Sequence, residues 1–166
     1  MRSYFIIAGI MCLFIVYASC SGNHAGQNQQ PAPQTNESGD NTYVPGLGEF
    51  MNTIQLHHSK LWFEGLNQNW PLARYETDEM KETFAGLQKY VTGRPEVEDV
   101  PMINASIDSM EIAIASKNLS RFKSAFTLMT NACNNCHYAT NHAFIVITIP
   151  TQPPVTNQQF EIKDEK

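Results

Sequence analysis

The sequence predicts an all-α protein whose main domain, residues 45–143, is an antiparallel four-helix bundle. In four segments of this range, apolar side chains recur at steps of three and four residues, which is the period of an amphipathic helix. Short connections containing Pro, Gly or Asn separate the segments. Four amphipathic helices joined by short loops in about 100 residues are typical of a bundle.

The first predicted helix covers about residues 47–69, and the second begins at Trp70, because Pro71 suits the first turn of a helix. Gly93 and Pro95 are expected to end the second helix. The stripe of the first helix consists of Leu47, Met51, Ile54, His58, Leu61 and Gly65. The stripe of the second consists of Met80, Phe84, Leu87 and Val91.

A short acidic connection, residues 95–99, leads to a third helix that is predicted to open at Pro101. The fourth helix is predicted to follow Asn118, because an Asn side chain is a good N-cap. The stripe of the third helix consists of Ile103, Ile107, Met110 and Ile114. The stripe of the fourth consists of Phe122, Phe126, Met129, Cys133 and Cys136.

The helical pattern breaks after His142, where residues 144–149 are apolar and mostly β-branched. The sequence has no second stretch of similar quality to pair with this one as a strand, and three prolines follow closely. We therefore predict that residues 144–158 form an extended strap across the bundle. The last eight residues are polar and charged, which indicates disorder, so residues 144–166 are expected to be an extended or disordered C-terminal tail.

Residues 1–19 have the layout of a secretory signal peptide, with Arg2 before a nearly unbroken apolar run, residues 4–17, and two small residues at the end. The run is short for a membrane span, which needs roughly 20 apolar residues. A retained N-terminal anchor is the alternative interpretation.

Cys20 comes directly after the two small residues, and this arrangement resembles a bacterial lipoprotein signal. The resemblance implies that Cys20 is lipidated and becomes the mature N-terminus, although Tyr17 stands where such signals usually have an aliphatic residue. Residues 20–44 are polar and rich in Gly, Asn, Gln and Pro, so they are predicted to be a flexible tether. An exported lipoprotein is therefore expected, anchored to a membrane through its lipid and facing the periplasm or the cell surface.

The charge pattern excludes some partners. The formal net charge is −5, and Lys and Arg form no cluster anywhere in the chain. Binding to nucleic acid, or to an anionic membrane surface through basic side chains, is therefore not expected.

The cysteine pattern predicts a bound cofactor. Cys12 lies in the predicted signal and Cys20 at the predicted lipid site, which leaves Cys133 and Cys136 in the sequence Cys-Asn-Asn-Cys-His. C-x-x-C-H is the attachment sequence of c-type haem. On one helical turn the two cysteines face the same side, as two thioether bonds to one porphyrin require, and His137 can bind the iron as the proximal ligand.

Two other chemistries compete for this motif. A zinc site would need two more ligands, and only His137 and His142 are close in the sequence. A redox dithiol of the thioredoxin type would be expected next to a βαβ pattern, which the sequence does not have. The secretion signal and the adjacent histidine favour one covalent haem c.

A single C-x-x-C-H on the last helix of an exported four-helix bundle resembles the class II cytochromes c, the group of cytochrome c′ and cytochrome c-556. The resemblance covers about residues 47–143 and implies that His137 is the proximal ligand. It also implies that the first helix covers the distal face of the haem, either with a non-ligating apolar side chain or with a methionine ligand. The chain departs from the family at Asn141, where a basic residue is usual, in its longer C-terminus, and in a His-His pair on the first helix.

The first helix offers three candidates for the sixth iron ligand. On a helical projection, His58 falls closest to the middle of the apolar stripe, Met51 lies farther to one side, and His57 lies toward the opposite edge. His58 is therefore the preferred distal candidate, and His57 and Met51 are the weaker ones. For each of them, packing in the core or an ordinary polar contact is the alternative.

The sequence thus predicts a monohaem c-type cytochrome that transfers single electrons to a redox partner protein in the cell envelope. The alternative is a five-coordinate haem that binds a small gas, nitric oxide or carbon monoxide. An enzyme such as a peroxidase would need an open distal site with an acid–base group, for which His57 or His58 would have to be unligated, and it is not expected. Bundles of this class often pair, so a homodimer is a further expectation.

Overall fold

The computed structural model describes residues 43–162, and the predicted signal peptide, Cys20 and most of the tether lie outside this range. The described chain contains four α-helices and no strand, and 69% of it is helical. The helices are α1 (Leu47–Leu66), α2 (Trp70–Tyr90), α3 (Asn104–Ala115) and α4 (Leu119–Ala139). A 3-10 helix, Pro95–Ile103, precedes α3. The prediction of an all-α fold with four helices is confirmed.

Contacts between helices show that α1 is antiparallel to both α2 and α4. On the α2 side, Phe50 lies against Gly86 near one end, and His57 contacts Glu76 farther along. On the α4 side, His58 contacts Thr130, and Gly65 lies against the ring of Phe122. The helix α3 packs against α2 and α4, so the four helices enclose one core.

The interior of the bundle is built from the apolar stripes of all four helices. Aromatic rings occupy the contact between α1 and α4, where Trp62 lies 4.8 Å from Phe126 and 6.2 Å from Phe122, measured between ring centroids. Seven of the large apolar side chains are almost completely buried: Leu61, Met80, Leu87, Met110, Phe122, Phe126 and Met129. Their burial takes apolar surface out of water, and this gain in free energy holds the helices together.

The ends of the helices follow local rules. The Asn118 side chain accepts a hydrogen bond from the backbone N–H of Arg121 at 2.9 Å, which confirms the predicted N-cap of α4. The first helix ends three residues earlier than predicted, at Leu66, because Gln68 has a φ of 54° and Asn69 caps α2 instead.

The predicted start of the third helix at Pro101 is wrong by three residues. The stretch Pro95–Ile103 is a 3-10 helix that buries Val100 and Ile103, and α3 itself begins at Asn104. Proline has no N–H to donate and disturbs the preceding turn of an α-helix, so the chain around Pro101 takes the tighter form.

Residues 140–162 form no helix or strand, and they contact the bundle at two distant places. Near the end of α4, the backbone of Ile147 forms two hydrogen bonds with the Asn134 side chain, and the carbonyl oxygen of Ile145 accepts one from His137. At the other end of the bundle, Phe160 is buried against Phe63, and its carbonyl accepts a hydrogen bond from Asn69. None of the helices in the described part of the chain is long and apolar enough to span a membrane.

Gly65 is the tightest point of the contact between α1 and α4, which leads to a first prediction. A Cβ atom at this position would lie 2.0 Å from Cζ of Phe122, whose ring is completely buried. Replacing Gly65 with Ala is therefore expected to lower the free energy of unfolding by about 3 kcal/mol, since the core must shift to make room. Chemical denaturation followed by circular dichroism measures the change.

The matched control is Gly48, in the same helix, where a Cβ would meet nothing within 4 Å. Replacing Gly48 with Ala is expected to raise the free energy of unfolding by roughly 0.5 kcal/mol, because alanine loses less backbone entropy in a helix. Equal effects of the two substitutions would show that α1 and α4 are not packed at this distance.

Candidate haem-attachment site

The motif residues Cys133, Cys136 and His137 lie in the last two turns of α4. Both cysteines carry free thiols and are partly buried. Cys133 packs against the apolar core, whereas Cys136 Sγ lies 3.8 Å from the carbonyl oxygen of Asp99 in the 3-10 helix. A spacing of three residues on a helix places two side chains on one side of it, so the two thiols can serve one planar group.

The surroundings of the two thiols raise their pKa values. Burial raises the pKa of the Cys133 thiol to about 12, and burial also raises the pKa of Cys136. A reactive cysteine pair needs at least one thiol with a lowered pKa, because the thiolate is the nucleophile. Neither cysteine has the lowered pKa that is typical of a reactive pair.

His137 has one ring nitrogen engaged and one available. Its Nδ1 lies 2.8 Å from the backbone carbonyl oxygen of Ile145. A carbonyl can only accept, so Nδ1 carries a proton and donates it, and in the neutral form of this ring Nε2 keeps its lone pair. This is the tautomer in which a histidine binds a metal through Nε2 while a backbone acceptor orients the ring.

The donor set of the motif fits a c-type haem. Cys133 and Cys136 would supply the two thioether sulfurs, and His137 Nε2 would supply an axial ligand with its proton on the other nitrogen. A zinc site is not assembled: among residues 43–162 no group of three or more His, Cys, Asp or Glu side chains could hold a metal ion. His142, the fourth ligand such a site would need, has its Nδ1 within 2.8 Å of the carbonyl oxygen of Thr140.

His58, the preferred distal candidate, lies deep in the core between α1 and α4. Its side chain is 2% exposed, and its Nε2 is 2.9 Å from Oγ1 of Thr130. The Thr130 hydroxyl donates to the carbonyl of Phe126, so it accepts from His58, whose Nε2 must carry a proton. Burial lowers the pKa of His58 to about 4, which keeps the ring neutral. Its role as an iron ligand is not tested by this arrangement and stays a prediction.

His57 lies on a different side of α1, where it faces α2. Its Nδ1 forms a hydrogen bond with the buried carboxylate of Glu76, which also pairs with Lys60 at 3.4 Å. The structure therefore does not bring His57 together with His137, although the two residues were grouped in the sequence interpretation.

Met51 comes two helical turns before His58, so helical geometry puts it on the same side of α1 as His58. His58 contacts Thr130, and the two helices are antiparallel. Two turns toward the start of α1 from His58 therefore reach Met51 at the same level at which two turns toward the end of α4 from Thr130 reach His137. Met51 is partly buried against the core. Of the three distal candidates, Met51 is thus the one at the level of His137.

A buried carboxyl pair between α1 and α2 was missed by the sequence interpretation. Glu64 and Glu76 are 0% and 1% exposed, and Gln158 of the C-terminal segment donates a hydrogen bond to Glu64 Oε1 at 3.3 Å. Glutamates in helices usually face solvent, so the sequence alone does not predict that these two are buried. The one weak signal is that Glu64 lies beside Leu61 and Gly65 of the apolar stripe.

Comparison with known proteins gave no match for this chain to any family model, any curated protein or any solved structure.

Proposed function

We propose that the protein is a monohaem c-type cytochrome that transfers single electrons in the cell envelope. The observation that supports this most strongly is the state of the C-x-x-C-H turn at the end of α4. Two free thiols three residues apart stand beside a histidine whose Nδ1–H is donated to a backbone carbonyl and whose Nε2 can bind a metal. Each of these features is what covalent haem attachment needs.

Three residues of the chain would hold the haem. Cys133 and Cys136 would fix it to α4, and His137 would present Nε2 to the iron in an orientation set by the carbonyl of Ile145. When bound, a haem supplies a one-electron couple between ferric and ferrous iron. The protein tunes that couple through the axial ligands, hydrogen bonds and burial around the group.

For the distal side we propose Met51 in place of His58. Met51 lies at the level of His137 and on the same side of α1 as His58, whereas His58 lies two turns away and already donates its Nε2 proton to Thr130. Met51 and His137 would hold the iron together, and a methionine–histidine pair would raise its reduction potential, which suits electron transfer.

Carbon monoxide binding distinguishes the distal candidates. In the haem-loaded protein, replacing Met51 with Leu keeps the side-chain volume and removes the thioether. This variant is expected to change from a low-spin to a high-spin ferric spectrum and to bind carbon monoxide rapidly once reduced. Replacing His58 with Gln, which keeps a donor for Thr130, is expected to leave the low-spin spectrum unchanged.

The opposite pattern, a spectral change with His58→Gln and none with Met51→Leu, would assign the distal position to His58. A parent protein that is already high-spin and binds carbon monoxide rapidly would replace electron transfer with gas binding as the proposed function.

The envelope location and the partner are proposed from the sequence. A signal in residues 1–19, lipidation at Cys20 and a polar tether over residues 20–44 would deliver the bundle to the periplasm or cell surface, where haem is attached covalently. The partner would be another redox protein of the envelope.

Globomycin, which blocks lipoprotein signal cleavage, would be expected to leave an uncleaved precursor.

A further inference from the structure

Asn134, one of the two variable residues of the C-x-x-C-H motif, binds the C-terminal segment through both ends of its amide. Its Oδ1 accepts a hydrogen bond from the backbone N–H of Ile147 at 2.8 Å. Its Nδ2 donates to the carbonyl oxygen of the same residue at 2.9 Å. A side-chain amide thus satisfies the backbone of Ile147 in the way a neighbouring strand would.

The same short stretch of chain provides the acceptor for His137. After α4 the backbone reverses at Asn141, which has a φ of 62°, and His142 N–H donates to the carbonyl of His137 at 2.7 Å. Ile145, two residues before Ile147, then places its carbonyl oxygen 2.8 Å from His137 Nδ1. Asn134 and His137 lie three residues apart on α4, so both form their hydrogen bonds to the segment from one side of the helix.

Apolar burial does not hold this stretch in place. The side chains of Phe144, Ile145 and Val146 are 78%, 43% and 67% exposed. Besides the local turn, in which the Ile145 N–H donates to the carbonyl of His142 at 2.8 Å, the side chains of Asn134 and His137 are what join this stretch to α4.

We propose that Asn134 is a positioning residue for His137: it clamps Ile147 against α4 and thereby holds the Ile145 carbonyl where it accepts the Nδ1 proton. This inference rests on the proposed function of His137 as the iron ligand. A histidine that donates its Nδ1–H to a fixed acceptor is a more basic ligand through Nε2. A more basic ligand stabilises ferric over ferrous iron, so the clamp would lower the reduction potential of a bound haem.

The test compares the two variable residues of the motif, because both variants keep C-x-x-C-H. Replacing Asn134 with Ala removes both hydrogen bonds to Ile147. Replacing Asn135 with Ala changes an exposed side chain and serves as the control. In the haem-loaded protein, Asn134→Ala is expected to lower the preference of the site for ferric over ferrous iron on the order of tenfold. For a one-electron couple this is a rise in potential of about 59 mV. Asn135→Ala is expected to leave the potential unchanged.

A second readout needs no haem. In the full chain before haem attachment, the amide of Ile147 should be protected from hydrogen exchange, and nitrogen chemical shifts should show the proton of His137 on Nδ1. Asn134→Ala is expected to remove the protection and to mix the two tautomers, and Asn135→Ala to do neither. If the parent chain takes up no haem, the proposed function fails while this readout still reports on the clamp.

Two results would overturn the inference. Equal exchange of the Ile147 amide in the parent and in Asn134→Ala would show that Asn134 does not hold the segment. Loss of protection with an unchanged potential would show that the segment is held but does not act on His137.

Discussion

Replacing Cys133 and Cys136 together with Ala is expected to abolish covalent haem attachment completely. Each cysteine would form one thioether bond, and no other cysteine lies among residues 43–162 to replace them. The chain would still fold, because alanine fits the partly buried positions on α4 with a loss of about 1 kcal/mol each. Haem staining after denaturing electrophoresis, together with the intact mass of the chain, measures the effect.

The control for this experiment is Asn135→Ala, which alters the same turn at an exposed position and leaves both thiols in place. It should retain the parent amount of haem through denaturation. Helical circular dichroism should be similar in the parent, the double cysteine variant and the control. Haem that remains with the double variant after denaturation would mean that the attachment lies elsewhere.

Replacing Glu64 with Gln is expected to stabilise the protein strongly at alkaline pH. Glu64 is completely buried, and its Oε2 is the one buried side-chain oxygen or nitrogen of residues 43–162 without a hydrogen-bond partner. Burial, and next the adjacent carboxylate of Glu76, raise the pKa of Glu64 to about 8. Glu64 is therefore protonated at neutral pH.

The direction of the pH effect follows from the raised pKa. In the unfolded chain Glu64 has an ordinary pKa of 4.5, against about 8 in the folded protein. Its stabilising contribution is therefore complete below about pH 4.5 and is lost as the pH rises to about 8. At 1.36 kcal/mol per pKa unit, the loss is on the order of 4 kcal/mol. Glutamine does not ionise, and its amide oxygen can accept from Gln158 as Glu64 Oε1 does.

Urea unfolding of the parent and of Glu64→Gln at pH 5 and pH 8.5 tests this. The two proteins are expected to be similar at pH 5, and the variant to be more stable by on the order of 3 kcal/mol at pH 8.5. Other titrating groups, such as His58 with its lowered pKa, cancel in the difference between the two proteins.

Glu82→Gln is the matched control, because Glu82 is an exposed glutamate on α2, and it should change the free energy of unfolding by less than about 0.5 kcal/mol at either pH. A difference between Glu64→Gln and the parent that does not grow with pH would show that Glu64 is ionised in the folded protein.

Much of the fold could be predicted because it is encoded in local patterns. The four- and three-residue spacing of apolar residues in α2 and α4 identifies helices, and Asn118 marks where α4 begins. The errors occur where two local signals compete. Around Pro101 the apolar residues continue with helical spacing, but proline favours the 3-10 geometry, and the sequence pattern alone does not decide between them.

The candidate site was predictable only in part. The motif residues are contiguous, so Cys133, Cys136 and His137 could be identified from sequence. The clamp of Asn134 on Ile147 and the pairing of Glu64 with Gln158 join residues far apart in the chain, and no local pattern encodes them. Which side chain of α1 would lie on the distal side of a bound haem depends on the register between α1 and α4. A helical projection of α1 alone favours His58, whereas the contact with Thr130 shows that Met51 lies at the level of His137.

The central claim is that one haem is bound covalently to the last two turns of α4. Its most direct test is the intact mass and absorption spectrum of the full-length protein, produced in cells with a c-type haem maturation system and then denatured. The account predicts that the chain gains the mass of one haem and keeps the haem absorption after denaturation. A chain with its unmodified mass at Cys133 and Cys136, and without haem absorption, would contradict it.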